Sequence, residues 1–404
     1  MRVMYLSAAG ELGGAERSLL DILASIRQAQ PSWALHLLTA AHGPLAGRAA
    51  KLGVTTEEVP FGAALSRVGE FGAGLATRAG YGPFAWSLAR AALPVAAYVP
   101  RLRRSIQAFG PDLLHTNGLK MDLLGAWACP PGTAVIWHVH DYIGSRPFTA
   151  RLLRWNARRC DAVVANSHSV ADDARAALGG RVPVIPVHNA VDLQRFSVAG
   201  RRLDLDALAG LPPAGDVVRI GLLGTFARWK GHTTFLEAVA RLPRDLRVRA
   251  YVIGGALYQT AGSQYTLDEL RRHAAALGLS DRVGFTGFVT SPDEALRALD
   301  IVVHASTAPE PFGLVIAEAM ACGRAVIASD AGGAREILTP GVDALGHTPG
   351  SAGGLAARIV ELVRDPDARI RLGRAARQTA ERRFDRVRLA ADLLPVYRRV
   401  VAKL

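Results

Sequence analysis

The feature that most constrains the fold of this chain is a repeated alternation of short apolar runs with amphipathic stretches. The first run, residues 2–8 (RVMYLSA), ends in small residues, as a buried strand does. Residues 15–26 follow, with apolar side chains at i, i+3, i+4 and i+7 counted from Leu19, which is the spacing of one helical face. Further strand-like runs occupy residues 34–40, 112–117, 133–139, 161–167 and 182–187. This alternation predicts a parallel sheet covered by helices on both faces.

The alternation stops at residues 191–216, which are polar, rich in glycine and proline, and without a long period. A second series of strand-like runs then follows, at residues 217–225, 247–255, 282–288, 300–306 and 325–330. A length of 404 residues also favours two domains. We therefore predict an α/β protein with two tandem Rossmann-like doubly wound domains facing a cleft, where ligands meet the carboxyl ends of the strands.

These breaks set the predicted domain limits. The first domain spans residues 1–190, residues 191–216 form an interdomain linker, and the second domain spans residues 217–384. Residues 385–404 are predicted to form a C-terminal helix that packs back toward the N-terminal domain.

The net charge narrows the class of partner. Lysine and arginine (48) exceed aspartate and glutamate (35) by 13. This excess indicates an anionic partner, such as a phosphorylated ligand or an acidic membrane surface, although an arginine-rich genome would produce the same excess. Nucleic-acid binding is disfavoured, because the basic residues are scattered and no recognition module is present.

Cysteine usage and hydropathy favour a cytoplasmic protein. Cys129, Cys160 and Cys322 form no disulfide framework, and neither they nor the eleven histidines have metal-ligand spacing, so no metal is expected. The first apolar run is too short for a signal peptide. The longest charge-free window, residues 123–140, is interrupted by a Pro-Pro-Gly turn and predicts no membrane span.

Residues 83–109 allow two interpretations. Arg101, Arg103 and Arg104 lie beside the aromatic residues Trp86, Tyr98 and Phe109. An amphipathic segment of this kind is typical of contact with a membrane or a lipid-linked substrate, which would make the protein peripheral on the inner face of the cell membrane. The alternative is a helical layer on the N-terminal sheet, split by Pro94 and Pro100.

Two loops after the first strand of each domain have the composition of phosphate sites. Residues 10–18 (GELGGAERS) place Gly13 and Gly14 before a helix, where backbone N–H groups can approach a ligand, although glycines also serve tight turns. Residues 221–232 (GLLGTFARWKGH) place Arg228 and Lys230 before the next helix. Two cations at a helix N-terminus fit a diphosphate; the alternative is a solvated basic loop.

Residues 309–320 (PEPFGLVIAEAM) carry the most specific pattern. Glu310 follows a predicted strand, Gly313 allows a tight entry into a helix, and Glu318 lies two turns further on. One acid beside a helix N-terminus can accept hydrogen bonds from sugar hydroxyls, and the second can bind a ribose diol. Helix capping and solvation would each explain a single acid, but not the whole spacing.

The pattern E-P-F-G-L-x-x-x-E resembles the signature of glycosyltransferase family 4, whose members have the GT-B fold. Supporting matches are GGAE (13–16), HVHD (138–141), NSHSVADDA (166–174), VHNAVDLQRF (187–196) and GTFARWKG (224–231). The resemblance implies a retaining hexosyltransferase that uses a nucleotide diphosphate sugar and a glycan or lipid-linked acceptor, in cell-surface polysaccharide or glycolipid biosynthesis. It assigns the acceptor to the first domain and the nucleotide sugar to the second.

The resemblance also implies roles for individual residues. Glu310 would contact the donor sugar's hydroxyls, Glu318 the ribose, and Lys230 the diphosphate. His140 would lie near the reacting carbon. The remaining donor-binding positions would be Gly13 and Gly14, Thr225 and Arg228, and the backbone N–H groups of Phe312, Gly313 and Leu314. The departing diphosphate oxygen would help to remove the acceptor proton, so that no protein nucleophile is required.

Two positions depart from the family pattern. Thr225 stands where an arginine is usual in G-R-x-x-x-x-K-G, so either Arg228 replaces it or the donor site is altered. His188 and Ala190 depart from the usual P-N-G-V-D at the hinge.

Two other interpretations remain open, and two further patterns are disfavoured. A sugar-nucleotide epimerase of the same fold would need no acceptor, and a non-catalytic partner subunit would bind sugar nucleotide only. The Asp204-Leu205-Asp206 and Asp365-Pro366-Asp367 patterns match a metal–diphosphate motif, but their positions favour capping or solvation. A serine hydrolase is disfavoured because no G-x-S-x-G is present.

Overall fold

The computed structural model describes residues 1–62, 81–256 and 262–404, with side chains outside residues 81–91. The chain divides into two compact units. Unit 1 comprises residues 1–190 and 386–404, and unit 2 comprises residues 191–385. In the described part of the chain, no helix has the length and apolar character needed to cross a membrane.

Unit 1 is built on a parallel sheet. Its described strands follow the order β3-β2-β1-β4-β5-β6-β7, and Val3 of β1 lies opposite Leu113 of β4. The strands β4 and β5 are buried along their whole length, as expected for a sheet covered on both faces. The strands are β1 (Arg2–Ser7), β2 (Ala34–Thr39), β3 (Thr55–Glu58), β4 (Leu113–Asn117), β5 (Ala134–Val139), β6 (Ala162–Ala165) and β7 (Val184–Pro186).

Helices cover both faces of this sheet. The described helices are α1 (Gly14–Ala29), α2 (Pro44–Ala50), α3 (Tyr81–Phe109), α4 (Leu119–Ala128), α5 (Pro147–Asn156), α6 (His168–Leu178) and the C-terminal α15 (Arg388–Val401). One apolar core joins the sheet to α3, α4, α5 and α6. The other joins it to α1, α2 and α15, so the C-terminal helix belongs to unit 1.

Helix α3 contains the segment for which two interpretations were open. The helix is continuous through Pro94 and Pro100, so the predicted split is wrong. The buried side chains of Leu102 and Ile106 anchor it to the sheet, which offsets the backbone donors that the prolines lack. Tyr98 is also buried, and its hydroxyl donates to the carbonyl of Val59 at 3.1 Å.

Of the other two aromatic residues of this segment, the structure describes the side chain of Phe109 but not that of Trp86. Phe109 stacks on His36, with ring centroids 4.9 Å apart. Packing therefore accounts for Tyr98 and Phe109, whereas Trp86 lies outside the side chains that the structure describes.

Unit 2 contains a second parallel sheet. Its described strands follow the order β10-β9-β8-β11-β12-β13, with Ile301 of β11 opposite Ile220 of β8. The strands are β8 (Val218–Leu223), β9 (Val248–Ile253), β10 (Val283–Gly287), β11 (Ile301–His304), β12 (Ala325–Ser329) and β13 (Leu345–His347). The described helices are α7 (Leu205–Ala209), α8 (His232–Ala240), α9 (Leu267–Ala276), α10 (Pro292–Arg297), α11 (Leu314–Ala321), α12 (Ala334–Ile337), α13 (Ala352–Arg364) and α14 (Pro366–Arg383).

The segment predicted as a linker, residues 191–216, is folded into unit 2. Val191, Phe196 and Leu205 are buried in the same apolar core as Phe384 of the second unit. These apolar residues have no regular period, so only tertiary packing reveals that they are buried.

The strand order places a switch point in each sheet. The chain leaves β1 in one direction and returns to β4 on its other side, and β8 and β11 have the same relationship in unit 2. The loops that follow these paired strands leave the carboxyl edge together, which is where doubly wound sheets bind ligands. The candidate residues should therefore lie in these loops.

Candidate functional site

In unit 2, one glycine brings the loops after β8 and β11 into contact. Gly231 has φ +75° and lies between a short 3₁₀ turn (Arg228–Lys230) and helix α8. A Cβ at this position would lie 1.8 Å from the carbonyl oxygen of Ala305, so only glycine fits. This close approach carries the end of the turn, Lys230, to the loop that contains Glu310.

Glu310 is the centre of a buried polar cluster. Its side chain accepts from Lys230 Nζ at 3.0 Å (Oε1) and 2.8 Å (Oε2). Oε2 also accepts from His304 Nε2 at 3.0 Å and from Ser306 Oγ at 2.8 Å. His304 is held in turn by Ser329, whose Oγ lies 3.3 Å from His304 Nδ1. The carboxylate is therefore oriented by donors from the β8 loop, the end of β11 and the β11–α11 loop.

The electrostatics of this cluster keep Glu310 ionised. Burial alone would raise the pKa of this carboxyl, because the charged form loses water. The Lys230 ammonium and the hydrogen bond from His304 outweigh that effect and hold the pKa of Glu310 well below its usual range. Lys230 also lies over the ring of Trp229, with Nζ 4.1 Å from the centroid.

Helix α11 begins beside this carboxylate. Gly313 precedes it with φ +101°, and a Cβ there would lie 2.9 Å from Ile316 and 3.5 Å from the Cγ of Glu310. Leu314 is the first helical residue, and Glu318 lies on the same helix as a buried residue. The Phe312 ring packs on Phe384 in the core, so its backbone alone is left for ligand contact.

The other two predicted donor-binding positions lie on the β8 loop. Arg228 donates to the carbonyl of Gly262 at 3.0 Å and to Glu269 at 3.3 Å, and its guanidinium lies over the Tyr265 ring. Thr225 is half-buried at the start of the loop. The structure thus brings Lys230 to Glu310 and directs Arg228 toward the first turn of α9.

In unit 1, His140 follows strand β5 and is fixed by two asparagines. Its Nε2 lies 2.7 Å from Asn117 Oδ1, at the end of β4. Asn166, which follows β6, donates to the His140 carbonyl at 3.3 Å. Nδ1 of His140 has no hydrogen-bond partner among the described residues. Burial lowers the pKa of His140 to about 4, so the imidazole is neutral at pH 7 with a lone pair on Nδ1.

Gly13 and Gly14 form the entry to α1 in the same unit. Gly13 is the extended residue before the helix, and Gly14 is the first helical residue. A Cβ at Gly14 would contact nothing within 4 Å, so packing inside unit 1 does not require glycine there. The Asn117 amide lies 3.5 Å from the carbonyl of Ala15, which joins this turn to His140.

The two D-x-D patterns have structural roles, as their positions predicted. Asp204 caps α7 and Asp365 caps α14, each accepting from a backbone N–H three residues further on. Asp206 is buried and accepts from Arg219, Arg249 and the hydroxyl of Tyr251. The capping interpretation is therefore confirmed for Asp204 and Asp365.

The sequence did not single out four residues that orient the predicted ones. They are His304 and Ser306 beside Glu310, and Asn117 and Asn166 beside His140. Each lies at the end of a strand or just beyond it. The sequence feature that could have indicated them is a polar residue at the carboxyl end of an otherwise apolar run.

Comparison with protein families covers both units. Residues 12–195 match the family described as Glycosyltransferase Family 4, and residues 211–379 match the family described as Glycosyl transferases group 1. The lipopolysaccharide core biosynthesis mannosyltransferase LpsB of Rhizobium meliloti is 30% identical over 272 residues, 61% of this chain and 74% of LpsB.

Two other curated relatives are matched over less of their length. The lipopolysaccharide core biosynthesis glycosyltransferase LpsE of Rhizobium meliloti is 30% identical over 229 residues, 57% of this chain and 62% of LpsE. The D-inositol 3-phosphate glycosyltransferase of Streptomyces bingchenggensis is 34% identical over 245 residues, 59% of this chain and 52% of that protein.

Solved structures show the same architecture. Anabaena HepE, crystallised in complex with UDP, superposes with a TM-score of 0.76 at 25% identity over 100% of both chains. Sucrose-phosphate synthase from Thermosynechococcus elongatus has the same TM-score at 21% identity, which is a likeness of fold. The two parallel-sheet α/β units are thus those of a GT-B protein, as the sequence predicted.

Proposed function

This chain belongs to glycosyltransferase family 4, and from that premise we propose that it transfers a sugar from a nucleotide diphosphate sugar to a glycan or lipid-linked acceptor. The observation that carries the proposal is the contact of the half-buried Lys230 with the buried Glu310 at the entry of α11. It supplies a cation for a diphosphate and an oriented carboxylate for sugar hydroxyls in one place.

The donor site is proposed from the chemistry of unit 2. Lys230 would bind the diphosphate, whose developing charge it stabilises as the sugar leaves. Glu310 is held ionised and aimed by His304 and Ser306, so it can accept from donor hydroxyls without reorganising. The first N–H groups of α11 would add positive potential. HepE was crystallised with UDP-glucose, which supports a uridine diphosphate sugar as the first donor to test.

The proposed reaction is a retaining transfer. His140 presents a neutral imidazole, which can contact the acceptor or the sugar without adding positive charge at the reacting carbon. The leaving diphosphate oxygen would take the acceptor proton on the face that the acceptor attacks. The proposed reaction uses no metal, and Lys230 and the N-terminus of α11 would stabilise the charge that develops on the leaving diphosphate. The relatives that act in lipopolysaccharide core biosynthesis support a cell-surface glycan or glycolipid as the product.

The proposal also includes an anionic membrane surface as a partner of unit 1. Arg103 donates to the carbonyls of Trp127 and Ala128, and Arg159 lies 3.4 Å from that of Ala126, so both lie at the C-terminal end of α4. Around them are exposed side chains, namely Arg101, Arg104, Arg158 and Trp155 (65% exposed). Basic residues near an anionic surface contribute about 1 kcal/mol each.

Vesicle sedimentation tests this surface. Vesicles with 30% anionic lipid should bind the protein at low salt, and replacing Arg101, Arg104 and Arg158 by serine should weaken that binding about tenfold or more. Replacing Arg398, Arg399 and Lys403 by serine, at exposed positions of the C-terminal segment, also removes three charges and is the matched control. Equal binding by both variants would remove this surface from the proposal.

The catalytic proposal is tested with the purified protein, a panel of UDP-, GDP- and ADP-sugars and candidate acceptors. We expect nucleotide release that depends on the acceptor, persists in EDTA, and gives a product with the donor's anomeric configuration by NMR. Loss of activity in EDTA that Mg²⁺ restores would contradict metal independence. Sugar-nucleotide conversion without an acceptor would favour the epimerase, and binding without turnover would favour a partner subunit.

A further inference from the structure

A chain of buried aromatic side chains runs through unit 1 and ends at His140. It begins on the C-terminal helix, where the hydroxyl of Tyr397 lies 2.7 Å from Nδ1 of His115. His115 Nε2 lies 3.2 Å from Nδ1 of His138. The His138 ring then packs on the His140 ring, with centroids 4.1 Å apart and planes inclined by 35°. The residues come from α15, β4, β5 and the position after β5, all in one compact unit.

The chain is neutral at physiological pH. Tyr397 and His115 have no exposed surface, and His138 is 2% exposed. Burial lowers the pKa of His115 to about 3 and that of His138 well below its usual range, and it raises the pKa of Tyr397. Each imidazole therefore carries one N–H and one lone pair, and the order of donors along the chain fixes the tautomer of each ring.

The phenol sets this order. In the order that we infer, the Tyr397 O–H donates to the lone pair on His115 Nδ1, because a phenol is a stronger donor than the N–H of a neutral imidazole. His115 then carries its proton on Nε2 and donates it to His138 Nδ1. His138 in turn carries its proton on Nε2, an atom with no hydrogen-bond partner among the described residues. The hydroxyl on the C-terminal helix thus determines the state of the ring that packs on His140.

His140 depends on that ring for its orientation. Asn117 holds one edge of the imidazole through Nε2, but rotation about that contact remains open. The His138 ring closes one face, which leaves Nδ1 aimed in a fixed direction.

We propose that Tyr397 is a positioning residue for His140, acting through His115 and His138, so that the C-terminal helix of unit 1 helps to build the catalytic site. This inference rests on the proposed function, because it assigns His140 to the sugar transfer. The hydrogen-bonded chain itself is independent of that assignment.

Tyr397→Phe tests the proposal by removing only the hydroxyl. We expect kcat to fall about three- to tenfold, the rate equivalent of one neutral hydrogen bond, with KM for the donor unchanged. In two-bond ¹⁵N–¹H spectra, His115 and His138 should change their tautomer. Tyr98→Phe is the matched control, since it removes an equally buried hydroxyl of unit 1 that donates to Val59 instead. The control should leave kcat and the histidine spectra unchanged.

A double-mutant cycle separates positioning from general destabilisation. His115→Asn should lower kcat at least as much as Tyr397→Phe, and the double variant should lose no more than His115→Asn alone, because the residues act in series. Additive losses would overturn the proposal, as would a changed tautomer with wild-type kcat, or unchanged tautomers in Tyr397→Phe. If the wild type transfers no sugar, the proposed function is wrong. The tautomer of His138 in Tyr397→Phe then shows whether the hydrogen-bonded series from Tyr397 to His138 is present.

Discussion

Gly231 and the carbonyl group of Ala305 are packed so closely that a Cβ on the glycine would lie 1.8 Å from the carbonyl oxygen. The contact joins the loop that carries Lys230 to the loop that carries Glu310. Gly231→Ala must move one loop and also place alanine at φ +75°. We expect unit 2 to lose about 2 kcal/mol or more of stability, and donor turnover to fall because the Lys230–Glu310 contact lengthens.

Gly353→Ala is the control for this substitution. Gly353 lies in helix α13 of the same unit, and a Cβ there would contact nothing within 4 Å. Alanine should be neutral or stabilise the protein by up to about 1 kcal/mol. Thermal unfolding and turnover are compared between Gly231→Ala and Gly353→Ala. Equal melting temperatures and turnover in the two variants would show that the contact of Gly231 with Ala305 is not needed for stability or activity.

Lys230→Met should lower kcat by about 100-fold or more, which is typical of losing one preorganised charge-stabilising donor. Methionine keeps much of the length of the side chain but removes the cation, so Glu310 is left as a buried acid and its pKa rises. Steady-state kinetics with the nucleotide sugar that the donor panel selects measure the effect. Lys51→Met, at an exposed position of unit 1, is the control. Wild-type turnover in Lys230→Met would exclude Lys230 from the site.

Arg228→Ala distinguishes two explanations of Thr225. If Arg228 replaces the arginine that family members carry at position 225, its loss should raise KM and lower kcat together, and Thr225→Arg should partly restore both. The structure instead pairs Arg228 with Glu269 and Tyr265. We therefore expect kcat within about threefold of wild type, because the guanidinium is directed toward the first turn of α9. A loss comparable to that of Lys230→Met would favour replacement.

The sequence predicted those features that depend on local periodicity. The run 133–139 became β5 (Ala134–Val139), because a continuous apolar run is itself the signature of a strand buried on both faces. Segment 191–216 could not be assigned in this way, since the burial of Phe196 depends on contacts with distant residues such as Phe384. Long-range pairs were equally inaccessible, and His115 and Tyr397 are 282 positions apart.

The residues of the candidate site also divide into those that local sequence predicts and those that depend on tertiary contacts. Glu310 and Lys230 could be named from motif spacing, and the strand order explains why their loops meet. His304 and Ser306 could not, because a polar residue at a strand end has many structural uses. Their role depends on the direction of the Glu310 side chain, which the β11–α11 loop sets.

Each of the buried histidines His115 and His138 makes the stability of unit 1 depend on pH. The folded-state pKa of His115 is about 3, below the value near 6.5 of an unfolded chain, and that of His138 is also lowered well below 6.5. Between these limits the unfolded chain binds more protons, so the stabilisation is present above pH 6.5 and is lost as pH falls toward the folded values. From pH 7.5 to 5.5, each histidine should remove about 1.4 kcal/mol of stability.

His138→Gln tests this expectation, because glutamine keeps polarity but does not titrate. The variant will be less stable than wild type at pH 7.5, but the further loss between pH 7.5 and 5.5 should be smaller by about 1.4 kcal/mol. Urea unfolding at the two pH values is followed by tryptophan fluorescence, which reports mainly on unit 1 because five of the six tryptophans, Trp137 of strand β5 among them, lie there. Asp122 makes a contribution of the opposite sign to the free energy of unfolding. Burial raises its pKa to about 8, so the stabilisation by its protonated form is lost as pH rises through that value. Over the same interval Asp122 therefore adds to the stability of unit 1 as pH falls. It does so in the wild type and in His138→Gln alike, so the difference between their pH-dependent losses of stability reports on His138. Parallel pH dependences would mean that His138 takes up no proton on unfolding in this range.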